Sequence, residues 1–236
     1  MKKIALLSVL TLLFFNISAY AANLYFYGGD WEPNDPNANG LYNGTDGHIG
    51  GNPYGAAVYQ NFVAGSPINV TGLFTNNLVD YTPLSGYWEI RTEVSEGNGG
   101  TLIASGSGSL TNTPTGRSGF GFDEYNNTVS GLNVALPSDT YWFAVVPTCT
   151  TCGGDSFNTN SLHGLNAVGT QISNQQYWNS PDGFGANFSN TNNSGGVFPT
   201  FSSGVYADVV PEPSSLIMLG SGLLAAGGVA RRGLRR

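Results

Sequence analysis

The sequence predicts an all-β body, a single β-sandwich of jelly-roll-like topology, on three observations. Glycine and asparagine are abundant, charged residues are sparse and aromatic residues recur along the chain, a composition that favours short strands joined by polar turns. Several stretches alternate apolar and polar residues with a period of two, the repeat of a strand with one buried face. Between the two ends of the chain no amphipathic helical pattern reaches about ten residues, so apolar faces must be buried by stacking sheet on sheet. The aromatic residues also argue against disorder, because a segment that buries nothing is poor in them.

Both termini stand apart from that body. Lys2 and Lys3 precede an apolar stretch over residues 4–15, and Ala19-Tyr20-Ala21 has the small-x-small pattern after which signal peptidase cuts. The chain therefore divides into a signal peptide over 1–21, a β-sandwich body over 22–209 and a distinct tail over 210–236.

Within the body, Leu24-Tyr25-Phe26-Tyr27 is of strand type, and 28–55, crowded with Gly, Asn, Asp and Pro, reads as one loop. Residues 57–63 alternate in period two, and 68–74 do so after the turn at Gly65-Ser66-Pro67. The clearest strand is 87–94, with Trp88, Ile90, Thr92 and Val94 on a buried face and Glu89, Arg91 and Glu93 on a wet one. Residues 96–100 form the turn of a hairpin whose return strand begins at 101–104, while 105–115 is more polar and weaker. Residues 127–136 and 140–146 make a second pair, split by Pro137-Ser138-Asp139, and the run from Tyr141 to Val146 is apolar on both faces, as a central strand would be. Beyond Pro147, short strand candidates remain at 176–178, 184–188 and 201–209.

The body is strongly acidic. Its only basic side chains are Arg91 and Arg117, with no lysine. Such a surface repels phosphate backbones and anionic lipid, which excludes nucleic acid as a partner and leaves divalent cations and neutral sugars open.

Five groups of residues are candidates for chemistry. Asp35, Asn37, Asn39, Asn43 and Asp46 fall at positions one, three, five, nine and twelve, with Gly40 at six, the spacing of an EF-hand-type calcium loop. A hard cation needs several oxygens at short range and the glycine permits the turn that gathers them, although Asp46 is shorter than the usual glutamate and neither flank is helical. An Asx-rich surface loop is the plain alternative. Cys149 and Cys152, the only cysteines, are spaced as Cys-Thr-Thr-Cys and in an exported protein form a local disulfide. Trp31 and Trp178, with Tyr42 and Tyr177, lie where rings can stack on sugars, whereas Trp88 and Trp142 belong to the core. Gly154-Asp155-Ser156-Phe157 superficially resembles the nucleophile block of Gly-Asp-Ser-Leu lipases, but the only later histidine, His163, is preceded by Asn160 rather than by the aspartate of an Asp-x-x-His. Asp123 and Glu124 are neighbours on a strand and point to opposite faces, which disfavours a paired carboxylate.

The tail holds three signals in fixed order: Pro211-Glu212-Pro213, an apolar run over 216–230 diluted by Gly220, Gly222, Gly227 and Gly228, and then Arg231, Arg232, Arg235 and Arg236. The run is slightly shorter than the ~20 residues of a comfortable membrane-spanning helix. The arginines would hold its end on the cytoplasmic side and leave the body outside. This arrangement resembles the PEP-CTERM sorting signal of Gram-negative bacteria, whose members are recognised by the membrane enzyme exosortase. The resemblance implies processing at Pro211, Glu212 and Pro213, a transmembrane sorting helix over 216–230 and stop-transfer by the four arginines. More loosely, Trp88 to Arg91, Gly99 to Leu102, Ser130 to Leu132 and Thr140 to Trp142 resemble the uncharacterised body domain of other PEP-CTERM proteins, which implies no activity.

The expectation is an exported, non-enzymatic surface or extracellular-matrix protein, processed by signal peptidase and exosortase and anchored transiently in the inner membrane. Its link to exopolysaccharide and biofilm is implied by the resemblance. A calcium-assisted carbohydrate-binding module is the alternative reading, and a secreted hydrolase the third.

Overall fold

The computed structural model describes residues 23–44, 55–148, 154–210 and 220–221. The strands run in chain order as β1 (Leu24–Tyr27), β2 (Gly40–Tyr42), β3 (Ala57–Ala64), β4 (Ile68–Val79), β5 (Ser85–Thr92), β6 (Thr101–Ser109) and β7 (Thr111–Gly119). They continue as β8 (Phe122–Leu136), β9 (Asp139–Thr148), β10 (Ser156–Thr159), β11 (Tyr177–Ser180), β12 (Ala186–Asn190) and β13 (Ser203–Val209). Two antiparallel sheets result, and they stack as a β-sandwich.

Sheet one is built on β4. The whole length of β4 pairs with β8, which pairs in turn with β7, while its other edge is shared between β13, with β1 beyond, and β10, with β2 beyond. Sheet two runs β12-β11-β3-β9-β5-β6. The pairs β3·β9 and β4·β8 nest as in a jelly roll, and inside them the chain turns back in two local hairpins, β5·β6 and β7·β8. Phe62, Leu73, Ile90, Leu136, Phe143 and Val205 fill the space between the sheets. Phe62 sits at the centre, its ring within 6.4 Å of those of Tyr25, Phe26, Tyr141 and Phe143. At the β10 end the interior turns polar. Asn43 donates to Val145 O and accepts from Val58 N–H, tying the end of β2 to sheet two, and Asn77 donates to Ser156 Oγ.

Three expectations need correction. The 28–55 loop contains a strand, β2. The weak stretch 105–115 is parts of two strands, β6 and β7, which meet at the buried Leu110. The face of β5 expected to be wet is covered: Glu89 is 2% exposed. Tyr87, Tyr59 and Phe188 lie over that face, and Glu93, at φ 57°, reverses the alternation so that Val94 packs with this outer cluster and not with Trp88 and Ile90.

Phe62→Ala should cost about 3–5 kcal/mol, because four rings lose a shared partner and cannot close the gap. Denaturant unfolding of the variant measures this directly, and a loss under about 1 kcal/mol would mean that the centre of the core lies elsewhere.

Candidate functional site

The β7–β8 hairpin closes with two residues, Phe120 and Gly121, both with positive φ (57° and 89°), the geometry of a type I′ turn. Asn or Gly normally fills the first of these positions, since a bulky side chain there crowds its own backbone. Here a phenylalanine does, and its ring is 67% exposed. Trp31 braces it. The indole, 1% exposed, lies so close over Gly119 that a Cβ there would come within 2.5 Å of it, and it packs on the Phe120 ring at 6.3 Å.

From Phe120 an aromatic ridge crosses the outer face of sheet one. Phe122 at the start of β8 packs edge-on against Phe157 of β10 at 5.8 Å, and Phe157 meets Tyr42 of β2 at 5.5 Å. Tyr42 then meets Phe184 at 5.7 Å, and Phe184 lies over Trp178 of β11 at 5.0 Å. Phe184 is 54% exposed, Phe122, Phe157 and Trp178 are half-buried, and Tyr42 lies beneath them. Between Phe120, Phe122 and Phe157 is a hollow of about 150 Å³, floored by Leu78 and Gly40 and edged by Asn39. It shares Phe122 with a polar hollow at Asp80, Thr82 and Asp123, and Asn39 with another at Asn37 and Gly196.

Each body arginine neutralises one buried glutamate, one on each sheet. Arg117 Nε donates to Glu124 Oε2 at 2.5 Å, and the same carboxylate accepts from Thr115 and Thr159. Arg117 also pairs with Asp30 at 2.9 Å, which accepts from Tyr27 and Asn166. Burial pushes the Asp30 carboxyl up, but those two hydrogen bonds and the guanidinium outweigh it and hold the group below its ordinary value. On sheet two, Arg91 Nε donates to Glu89 Oε1 at 2.5 Å, Tyr87 and Tyr59 also donate to that carboxylate, and the guanidinium stacks over Phe188. Burial and then the Glu89 charge raise the Tyr59 hydroxyl well above its usual range, so it stays a donor.

The sequence-predicted residues are placed as follows. Asp35 accepts from Asn37 N–H and Asn39 from Gly40 N–H, both as local turn contacts, and Gly40 begins β2 instead of turning the chain. Asn43 is fully buried with its amide engaged on both sides, so it cannot face a cation with Asp35; Asp46 lies outside the described residues. Among the described residues no group of three or more His, Cys, Asp or Glu is placed to hold a metal. Trp31 is a buried brace and not a platform, which corrects its reading as a stacking ring, and Tyr177 is buried as well. Trp178 is on the ridge, its indole N–H donating to Tyr42 O. Ser156 is buried and takes its hydrogen bond from Asn77, while the exposed His163 pairs with Glu32, so neither serves the other. Glu124 is buried and Asp123 exposed, on opposite faces as expected. Cys149 and Cys152 lie outside the described residues, as do Pro211, Glu212, Pro213 and the four terminal arginines. Phe120, Phe122, Phe157 and Phe184 were not singled out from sequence. The signal that would have found the first two is Gly-Phe-Gly-Phe at 119–122, aromatic residues alternating with glycine and not with core residues.

Fold and tail together define an exported two-sheet β-sandwich carrying a C-terminal sorting signal. That signal is a PEP-CTERM protein-sorting motif, whose family model matches residues 209–236. It implies sorting by exosortase, with the C-terminal segment held transiently in the membrane. Among the described residues no helix is long and apolar enough to cross a membrane; of the tail's apolar run only Gly220 and Ser221 are described, and both are helical. No curated protein and no solved structure matches the chain.

Arg91→Met should destabilise the fold by about 3–5 kcal/mol, because it leaves Glu89 buried without its cation, and Glu89→Gln in the same chain should restore most of that loss. A double variant as unstable as the single one would show that packing, not charge, is what Arg91 supplies. Lowering the pH should also weaken the fold. The folded Asp30 group titrates below its ordinary value of 3.8, so its contribution is complete above that value and disappears as pH falls through the folded one. Asp30→Asn should flatten the melting temperature between about pH 5 and 2, and an unchanged slope would assign the acid sensitivity elsewhere.

Proposed function

We propose that the body is a non-enzymatic module of the cell surface or extracellular matrix that holds neutral polysaccharide along the ridge from Phe120 to Trp178. The observation that carries this reading is Phe120: an exposed aromatic ring at a turn position that disfavours it, braced from beneath by a buried tryptophan. Such a conformation costs about 1–3 kcal/mol, and strain of this kind clusters where a side chain must be presented to a ligand. Aromatic faces suit the apolar faces of sugar rings, and Phe120, Phe122, Phe157, Phe184 and Trp178 each leave part of a ring accessible along the ridge. Asn39, Thr82 and Asp123 supply hydrogen-bonding groups at the rim, and the acidic body favours a neutral glycan over an anionic one. The sorting motif supports a place outside the cell. Removal of residues 1–21 by signal peptidase and a role in exopolysaccharide or biofilm belong to the same proposal. The engaged Ser156 and the separately paired His163 support the non-enzymatic reading over the hydrolase one.

Affinity electrophoresis in gels cast with neutral polysaccharides tests it, with Phe120→Asn as the informative variant. Asparagine suits the turn, so the variant should be more stable by about 1 kcal/mol while retention in the gel falls at least about tenfold. Phe184→Ala at the other end should weaken retention in the same polysaccharide. No retention of the parent chain in any neutral polysaccharide, or full retention by Phe120→Asn, would sink the proposal.

A further inference from the structure

The edge strands of the two sheets are guarded unequally. β1 has four residues and a bulge, β2 three and β12 five, all too short to template another strand. β7 has nine, but it carries Pro114 and Arg117 and its register breaks between Pro114 and Ser118. β6 also has nine, and it carries no charge and no proline. Its one irregularity lies at Ile103, close to the hairpin turn, and Ala104–Ser109 runs in unbroken register along β5 with the sequence Ala-Ser-Gly-Ser-Gly-Ser. Among the described residues none of its backbone groups bonds to anything but β5.

The alternation in this strand has a cause on each face. Gly106 sits under the Trp88 indole, where a Cβ would be 3.0 Å from Nε1, so that position of the inner face favours glycine. Ser105, Ser107 and Ser109 are exposed on the other face. Apolar side chains flank the strand at both ends. Leu102 and Ile103 are exposed by the hairpin turn, and Leu84, 75% exposed, lies at the far end, where its carbonyl accepts from Leu110.

We propose that β6 is a docking edge for a second copy of this chain, the two β6 strands pairing antiparallel about a two-fold axis near Ser107 so that sheet two runs unbroken through the dimer. Self-pairing fits this edge in three ways. An antiparallel two-fold brings Leu102 and Ile103 of each copy beside the partner's Leu84 end, so both apolar spots are covered at once. The strand itself is neutral, and Glu93 and Glu96 lie by the hairpin turn, so the two copies' acids fall at opposite ends of the joint. Residues opposite each other in such a pair share a face, which continues the serine row across the axis and keeps Trp88 inside in both copies.

Cysteine cross-linking of the full chain, in the exporting cell and after purification in detergent, tests this with the parent chain as baseline. Ser105→Cys, Ser107→Cys and Ser109→Cys are compared with Ser118→Cys on β7. Directly opposed residues across an antiparallel pair lie within disulfide reach. At least one β6 variant should yield a covalent homodimer under mild oxidation, and Ser118→Cys should not. Ser107→Lys, an exposed change that leaves the core untouched, should keep the parent melting temperature and raise the dimer dissociation constant at least about tenfold by sedimentation. Overturning results are folded β6 variants that stay monomeric, equal cross-linking through Ser118→Cys, adducts to a different polypeptide, or dimerisation indifferent to Ser107→Lys.

Discussion

The structure depends on two buried carboxylates finding cations in a body that has only two to offer. Glu89 and Glu124 lie on different sheets, and each is closed over by a guanidinium and by hydroxyl donors. A carboxylate sealed from water without its cation would carry a penalty of several kcal/mol, comparable with the whole stability of a domain. Placing Arg91 and Arg117 there leaves the outside of the body mostly to acids and neutral groups, with the exposed His163 held against Glu32. The internal choice thereby sets the external chemistry: the field around the body is negative, which disfavours phosphate-rich partners and leaves neutral groups and cations. The ridge and the β6 edge are both neutral surfaces on that acidic body.

What the sequence made legible follows from where apolar alternation coincides with burial. β3 and β5 show it and are readable to within about two residues of their ends, β9 is readable instead from its two apolar faces, and β8 is readable only from residue 127, its first five residues being missed. β10 is not, because Ser156 and Asn158 point into a part of the interior filled with amides and hydroxyls, so the buried face of that strand is polar. β6 and β7 are obscure for a different reason: as edges they bury little, and where β6 does face the core it presents glycine under Trp88. Glu89 misleads because a charged residue in a period-two strand reads as solvent-facing, and nothing local announces that Tyr59, Tyr87 and Phe188 will cover it. The candidate site was legible only at Trp178 and, beneath it, Tyr42. Trp31 gives the same local signal, and its role was decided by Gly119, distant in sequence and flat enough to let the indole lie on it.

Phe120 and Trp31 also show how stability is distributed. The hairpin tip is a strained conformation supported by one buried ring, while the body's main reserve of stability is the apolar core between the sheets. Strain at the tip is tolerable because the long β4·β8 ladder anchors the hairpin that bears it. The β6 edge, by contrast, is held only through β5, and its six regular residues carry only small side chains. A rigid ring on a firm hairpin and a plain edge on a slender one are different kinds of surface, suited to a stiff ligand and to another backbone respectively.

The position of β13 bears on the order of events during synthesis. This strand ends at Val209, where the sorting motif begins, yet it lies between β1 and β4 in sheet one, and Asn23 beside β1 bonds to Asp208 beside the tail. Sheet one therefore cannot close until nearly all of the body has emerged, and a partly exported chain has an open gap where its last strand belongs. Once β13 inserts, Asn23 and Asp208 are laid side by side at one corner of sheet one, so the strand that leads into the sorting motif is clamped by the first strand of the sheet.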